Sequence, residues 1–99
     1  MNREALMVIA LAHKAGRVLS GEDQVLEGIR TGNALLTVIS EDASENAKKR
    51  FSDKCRYYGV DFIEGGTKRE TASMIGKTER SAIAFTDEGF KQLFLKKLK

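Results

Sequence analysis

Apolar residues recur along this chain at two spacings, and the switches between them divide it into helices and strands. Over residues 2–14, Leu6, Ile9, Ala10 and His13 fall at i, i+3, i+4 and i+7, the spacing of one helix face. The middle of that segment is apolar all round, which predicts a well-buried helix. Arg17, Val18 and Leu19 read as a short extended piece. A second helix is predicted from Ser20 or Gly21, with Ser20 as its cap and Asp23 at the capping-box distance. Glu22 and Asp23 suit the positive end of its dipole, and Val25 and Ile29 form its core stripe. Residues 35–39 are a nearly continuous apolar run, which predicts a strand buried on both faces.

The second half repeats the alternation. Ala47, Phe51, Cys55 and Tyr58 stand at helical spacing over residues 44–58, and residues 60–63 read as a strand. Thr67, Lys68, Arg69 and Glu70 spell a capping box that opens a fourth helix. Residues 81–86 read as the last strand. Residues 87–98 read as a final helix with Phe90, Leu93 and Phe94 facing in. Gly16, Gly32, Gly59 and Gly76 each follow a helix-like stretch, where a left-handed residue is favoured. Strands alternating with helices predict an α/β fold, a central sheet with helices on both faces. The strand-to-helix connections 40–44, 65–67 and 86–87 are the expected ligand-bearing edge.

Length and composition narrow the classes. The chain has 99 residues, enough for one domain over 1–99. It has no proline, no low-complexity tract and no solenoid repeat. One cysteine, Cys55, cannot close an internal disulfide, and with one histidine it falls short of a structural zinc site. That usage suits a reducing compartment. The apolar run 5–12 is too short to span a membrane. Ala10, Leu11 and Ala12 mimic a cleavage site, but Glu4 precedes the run and no basic segment leads it. A cytoplasmic protein without membrane attachment is expected.

Lys and Arg number 17 against 14 Asp and Glu, a net charge of +3. The first 40 residues hold four basic and four acidic side chains, so the excess falls in the remaining 59. There it forms clusters: Lys48-Lys49-Arg50, Lys68-Arg69, Lys77 with Arg80, and Lys96-Lys97-Lys99. Such a balance permits nucleic-acid binding without requiring it.

No catalytic constellation stands out. His13 closes an apolar face, where a partly buried, hydrogen-bonded histidine is expected. Cys55 lies on a core stripe and reads as a small buried hydrophobe. Glu41-Asp42 read as dipole partners of a helix start. Gly65-Gly66-Thr67 before a helix resembles an anion nest but lacks a P-loop's lysine and spacing. The most informative stretch is 14–32, which joins a basic turn, a glycine-led helix start and a glycine exit. Gln24 can pair with a base edge and Asp23 can accept from an exocyclic amine. Helix N-terminal amides can hold a phosphate.

Gly16-Arg17, Gly21 and Gly32, the apolar strand followed by Glu41-Asp42, Lys54-Cys55 before Val60-Asp61-Phe62, and the helix 70–76 together resemble the L-seven-Ae/L-thirty-e superfamily of ribosomal and small-RNP proteins. The likeness covers nearly the whole chain and looks closest to a bacterial YlxQ-like branch. It implies a three-layer α/β/α sandwich around a mixed sheet of about four strands. It also implies that the second helix start and the loop before the last strand clamp kink-turn RNA. The helix residues would meet sheared G·A pairs, and the loop would pack a flipped-out base. In this chain the family's Asn falls on Asp23, its Glu on Gln24 and its Lys on Glu27, which sets an acid where a phosphate would lie.

The expected function is therefore non-catalytic binding of structured, kink-turn-like RNA by a ribosome-associated protein, with no cofactor, metal or small-molecule substrate. Arg17 would hold phosphate, and Gly21 would permit close approach beside Glu22. Asp23 and Gln24 would meet base edges, with Glu27 one turn on. Gly76, Lys77 and Arg80 would line the second side. Asp23 and Glu27 also motivate a second reading, a protein-interaction module on the same fold with RNA reading weakened. A third reading is a small phosphate-handling enzyme that uses Gly65-Gly66-Thr67.

Overall fold

A computed structural model describes residues 1–98, so Lys99 of the last basic cluster lies outside the described residues. The elements run α1 (Arg3–Lys14), β1 (Val18–Ser20), α2 (Glu22–Thr31), β2 (Leu36–Ile39), α3 (Glu45–Tyr58), β3 (Asp61–Glu64), α4 (Lys68–Met74), β4 (Ala82–Phe85) and α5 (Glu88–Lys97). Each predicted element is present, with ends shifted by a residue or two.

Most helix ends follow the local chemistry. The side chains of Asn2, Ser44 and Asp87 accept from the Ala5, Ala47 and Phe90 amides at the starts of α1, α3 and α5. Thr67 and Glu70 form the predicted capping box on α4. The exception is α2. Ser20, expected as its cap, is instead the last residue of β1 and pairs with Ile83. Gly21 takes the cap position, and no side chain caps the helix there.

The sheet has the order β1-β4-β2-β3. β4 is antiparallel to both neighbours, whereas β2 and β3 are parallel. β2 and β4 are buried along their whole length, as strands sealed on both faces must be. Alternate residues divide between two cores. Leu36, Val38, Ile83 and Phe85 face α1, α4 and α5, with Val8, Ile9, Ile75 and Phe94. Ile39, Ala82 and Ala84 face α2 and α3, with Val25, Ile29, Phe51 and Cys55. The result is the three-layer α/β/α sandwich with a mixed four-stranded sheet that the sequence predicts.

Burial departs from expectation in three places. α1 is not buried all round: Ala5, Val8, Ile9 and Ala12 are buried, but Met7 and Leu11 are about half exposed. His13 is exposed, because the inward face of α1 turns on Ala5, Val8 and Ala12 and carries the last turn outward. Tyr58 is 40% exposed, since the stripe of α3 ends at Cys55. Cys55 itself is buried as predicted, and burial pushes its thiol pKa up.

Strand direction decides which loops share an edge. The C-terminal ends of β1, β2 and β3 lie together with the N-terminal end of β4, because Ser20 pairs with Ile83, and Ile39 with Glu64 and Ala82. Residues 20–22, 40–44, 65–67 and 76–81 therefore meet at one edge. The connection 86–87, expected there, lies at the opposite edge, because β4 runs the other way. Its Thr86 amide donates to the Arg17 carbonyl at 3.0 Å.

Phe94 is fully buried with its ring 4.8 Å from that of Phe85, and it is the one buried residue of α5. Phe94→Ala is expected to cost about 3–5 kcal/mol in urea unfolding. A loss below about 1 kcal/mol would mean that α5 is held to the sheet by other contacts.

Candidate nucleic-acid interface

The edge where β1, β2 and β3 end gathers the starts of α2, α3 and α4, and Arg80 lies among them. Its backbone and that of Ser81 are fixed by three hydrogen bonds, to Ser40 after β2 and to Lys68 at the start of α4. The Arg80 carbonyl accepts from Ser40 Oγ at 3.2 Å, its amide donates to the Lys68 carbonyl at 3.4 Å, and next to it the Ser81 carbonyl accepts from the Ser40 amide at 2.8 Å. The side chain then lies across Gly21: a Cβ built on Gly21 would sit 3.8 Å from Arg80 Nε. Arg80 Nη1 donates to the Glu79 carbonyl at 2.7 Å, but Nε is buried without a partner. Among the described residues no carboxylate pairs with this guanidinium. A permanently charged guanidinium without a carboxylate partner thus covers the uncapped start of a helix, a combination suited to a phosphate or a base-edge acceptor.

Gly21 is required there by backbone geometry. Its φ of +89° and ψ of 154° lie in a region essentially reserved for glycine. Its amide donates to the Ala82 carbonyl at 3.1 Å, so the chain leaves the sheet and enters α2 within one residue.

Asp23 and Gln24, one and two residues into α2, are exposed. With Glu27 they border a groove of about 370 Å³ along α2 and β1, floored by Leu19 and Gly28 and ending at Thr31 and Asn33. Gln24 is partly oriented, its Oε1 lying 3.5 Å from the Ser20 amide. Gly28 was not singled out from sequence. A Cβ at this buried glycine would stand 2.3 Å from Leu19 Cδ1, so it lets α2 lie close on β1. A glycine inside a helical pattern was the available signal.

The acids of α2 are largely neutralised. Glu22 pairs with Arg50 of α3, and Glu27 pairs bidentately with Arg30 of its own helix. The Arg30 hydrogen bond holds the exposed Glu27 carboxyl below its usual pKa, so it remains charged but matched. The charge reversal at Glu27 is therefore offset locally. The Glu22–Arg50 pairing was not legible in the sequence, because the two residues lie 28 positions apart.

Gly76, with φ +70°, Lys77 and the rest of 76–79 are exposed in the loop that leads to Arg80. Arg17 is exposed but stands at the other end of β1, beside Thr86, so the structure does not bring it to the Gly21–Arg80 cluster.

Gly65-Gly66-Thr67 is no anion nest. The Gly65 amide donates to the Ile39 carbonyl, that of Thr67 to Glu70 Oε1 and that of Lys68 to Asp42 Oδ1, at 2.9–3.0 Å. Three of the amides a phosphate would need are thus already used, which weakens the basis of the enzyme reading. Among the described residues no His, Cys, Asp and Glu side chains cluster as a metal site, and no helix is long and apolar enough to cross a membrane.

Comparisons with known proteins bear on the family and the fold. The model of the ribosomal protein L7Ae/L30e/S12e/Gadd45 family matches residues 3–95. The chain is 41% identical over 83 residues to the RNA-binding protein YlxQ of Bacillus subtilis (strain 168), covering 84% of this chain and 83% of that one. It is 38% identical over 88 residues to the RNA-binding protein YlxQ of Enterococcus faecium, covering 89% and 84%. Among solved structures it resembles a Bacillus halodurans protein of unknown function, with TM-score 0.90 and 32% identity over 96% of both chains. The Giardia lamblia 15.5kD RNA binding protein shares the fold, with TM-score 0.79 and 15% identity over 97% of this chain and 86% of that one.

The two glycines that bound α2 predict different tolerances. Gly32 has φ +81° and ψ 6°, the left-handed helical region that Asn tolerates, whereas the Gly21 region excludes Asn as well. Thermal unfolding should show Gly21→Asn and Gly21→Ala each costing about 1–3 kcal/mol. Gly32→Asn should recover most of the loss caused by Gly32→Ala. Equal tolerance at both sites would refute the assigned backbone at Gly21.

Proposed function

The chain belongs to the ribosomal protein L7Ae/L30e/S12e/Gadd45 family, and from that premise we propose that it binds structured RNA, of the kink-turn kind, without catalysing a reaction. The observation that carries the reading is Arg80 lying unpaired over Gly21 at the uncapped start of α2. Bent RNA offers this edge what a plain duplex does not: unstacked bases and phosphates at irregular spacing.

In this reading α2 enters the bend with Gly21 against the RNA backbone, where a side chain would hold it off. Asp23 accepts from an exposed amino group, and Gln24 donates and accepts at a neighbouring base edge. Glu22 and Glu27 remain in the contact surface as matched pairs with Arg50 and Arg30, so they add hydrogen-bond acceptors with little added repulsion. Arg80 supplies a charge-assisted contact to phosphate, and Lys77 and Gly76 close the far side around a splayed base. Arg17 serves a phosphate only if the RNA continues along the β1 edge to its other end. The similarity to two RNA-binding proteins supports RNA as the ligand, and a ribosomal RNA in the cytoplasm is the natural source of such a bend.

The test is binding at physiological salt to a kink-turn RNA and to a control whose tandem G·A pairs are replaced by Watson–Crick pairs. A clear preference for the kink-turn is expected. Arg80→Ala should weaken it by about tenfold or more, since a hydrogen bond to a charged group contributes about 1.5–3 kcal/mol. Lys77→Ala should weaken binding less and make it less salt-dependent. Equal binding to both RNAs, or no effect of Arg80→Ala, would overturn the site. Capture of a protein partner that survives nuclease would favour the interaction-module reading.

A further inference from the structure

We propose that the outer face of α3 is a second RNA contact, which takes a single-stranded segment by stacking a base on Tyr57 and holding its phosphates with Arg50 and Lys54. The proposal rests on the RNA-binding reading above and extends it to a separate surface.

Three observations converge on this face. Tyr57 is 82% exposed, the most exposed large apolar side chain of the chain, and Tyr58 beside it is 40% exposed. Their ring centroids are 4.8 Å apart at 82°, an edge-to-face pair that steadies Tyr57 while leaving its ring open to solvent. The core stripe of α3 is Ala47, Phe51 and Cys55, so folding makes no use of the Tyr57 ring.

The second observation is charge. The 14 residues of α3 carry five basic and two acidic side chains, a surplus equal to the +3 of the whole chain. Arg50, Lys54, Tyr57 and Tyr58 fall at i, i+4, i+7 and i+8, and so share one face over about 12 Å of helix. With Asp53 they line a groove of about 460 Å³. Asp53 is already matched, with Lys49 Nζ at 3.1 Å and Arg56 Nη1 at 3.8 Å. Among the described residues Lys54 has no ion-pair partner.

The third is continuity. Arg50 pairs with Glu22 at the start of α2, so the stripe begins at the edge of the kink-turn site and leads away from it. An RNA strand leaving the bend there meets cations first and an open aromatic ring next. A basic track with a stacking platform binds single strands with little regard to sequence, because every base has a π-face.

The chain has two tyrosines and no tryptophan, and both tyrosines lie in this groove, so tyrosine emission reports on the site directly. The intact protein is titrated with a single-stranded uridine oligonucleotide of about ten nucleotides, and separately with kink-turn RNA with and without a single-stranded tail. The oligonucleotide should quench emission saturably, and the tail should raise affinity. Tyr57→Ala should weaken oligonucleotide binding at least about fivefold, the lower end for one stacked base, while Tyr57→Phe retains it. Lys54→Ala should lower the salt slope by about 0.7. Tyr57 is exposed, so its substitution leaves the fold intact, which circular dichroism checks. Absence of quenching, with tailed and untailed RNA bound equally, overturns the proposal even if the kink-turn binds well. Quenching by the oligonucleotide without kink-turn preference supports the α3 contact and refutes the kink-turn reading instead.

Discussion

Strand β4 exchanges hydrogen bonds with a neighbour on each side while helices seal both of its faces, and these two demands leave little freedom in Ala82–Phe85. Ile83 and Phe85 fill the space under α1 and α5. Ala82 and Ala84 are small, and α2 packs against that face. Because β4 runs against β1 and β2, the loop that enters it arrives at the edge where those strands end. Arg80, two residues upstream of Ala82, is thereby delivered onto Gly21. The Ala82 carbonyl that receives the Gly21 amide belongs to the same strand, so one element positions both sides of the cluster.

The electrostatic design of the edge is one of local cancellation with selected exceptions. Glu22 and Glu27 each have an arginine partner, and Glu64 and, further along α3, Asp53 each have a lysine. Exposed pairs of this kind add little to stability. Their effect here is on the field: they remove repulsion from a surface that would meet phosphates. Arg80 and Lys54 stand outside these pairs, one at the helix start and the other on the α3 stripe. A mildly basic chain can thus present concentrated positive charge in two places without a large net charge.

Local chemistry was legible in the sequence wherever the responsible residues lie close together. The Thr67–Glu70 box and the Val25–Ile29 stripe depend on neighbours within one or two turns. Features set by distant partners were not. Ser20 has the chemistry of a cap, but pairing with Ile83 draws it into the sheet and hands the helix start to Gly21. The 86–87 connection looked equivalent to 40–44 because strand direction is not written in alternation. The role of Arg50 depends on Glu22, and His13 is exposed because the buried face of α1 is set by packing against α4 and α5. The family resemblance supplied the candidate residues of α2 and the 76–80 loop, and the fold brings most of them to one edge, with Arg17 apart.

The pairing of β1 with β4 also orders events in time. Val18 meets Phe85 across most of the chain's length, and α1 packs on α5. Such distant pairings form late, after β2, α3 and β3 can already associate as a parallel unit. During synthesis, Gly21 and Gln24 leave the ribosome early but gain no counterpart until Arg80 and Ala82 follow. A chain that stops before Arg80 and Ala82 therefore holds only half of the Gly21–Arg80 cluster.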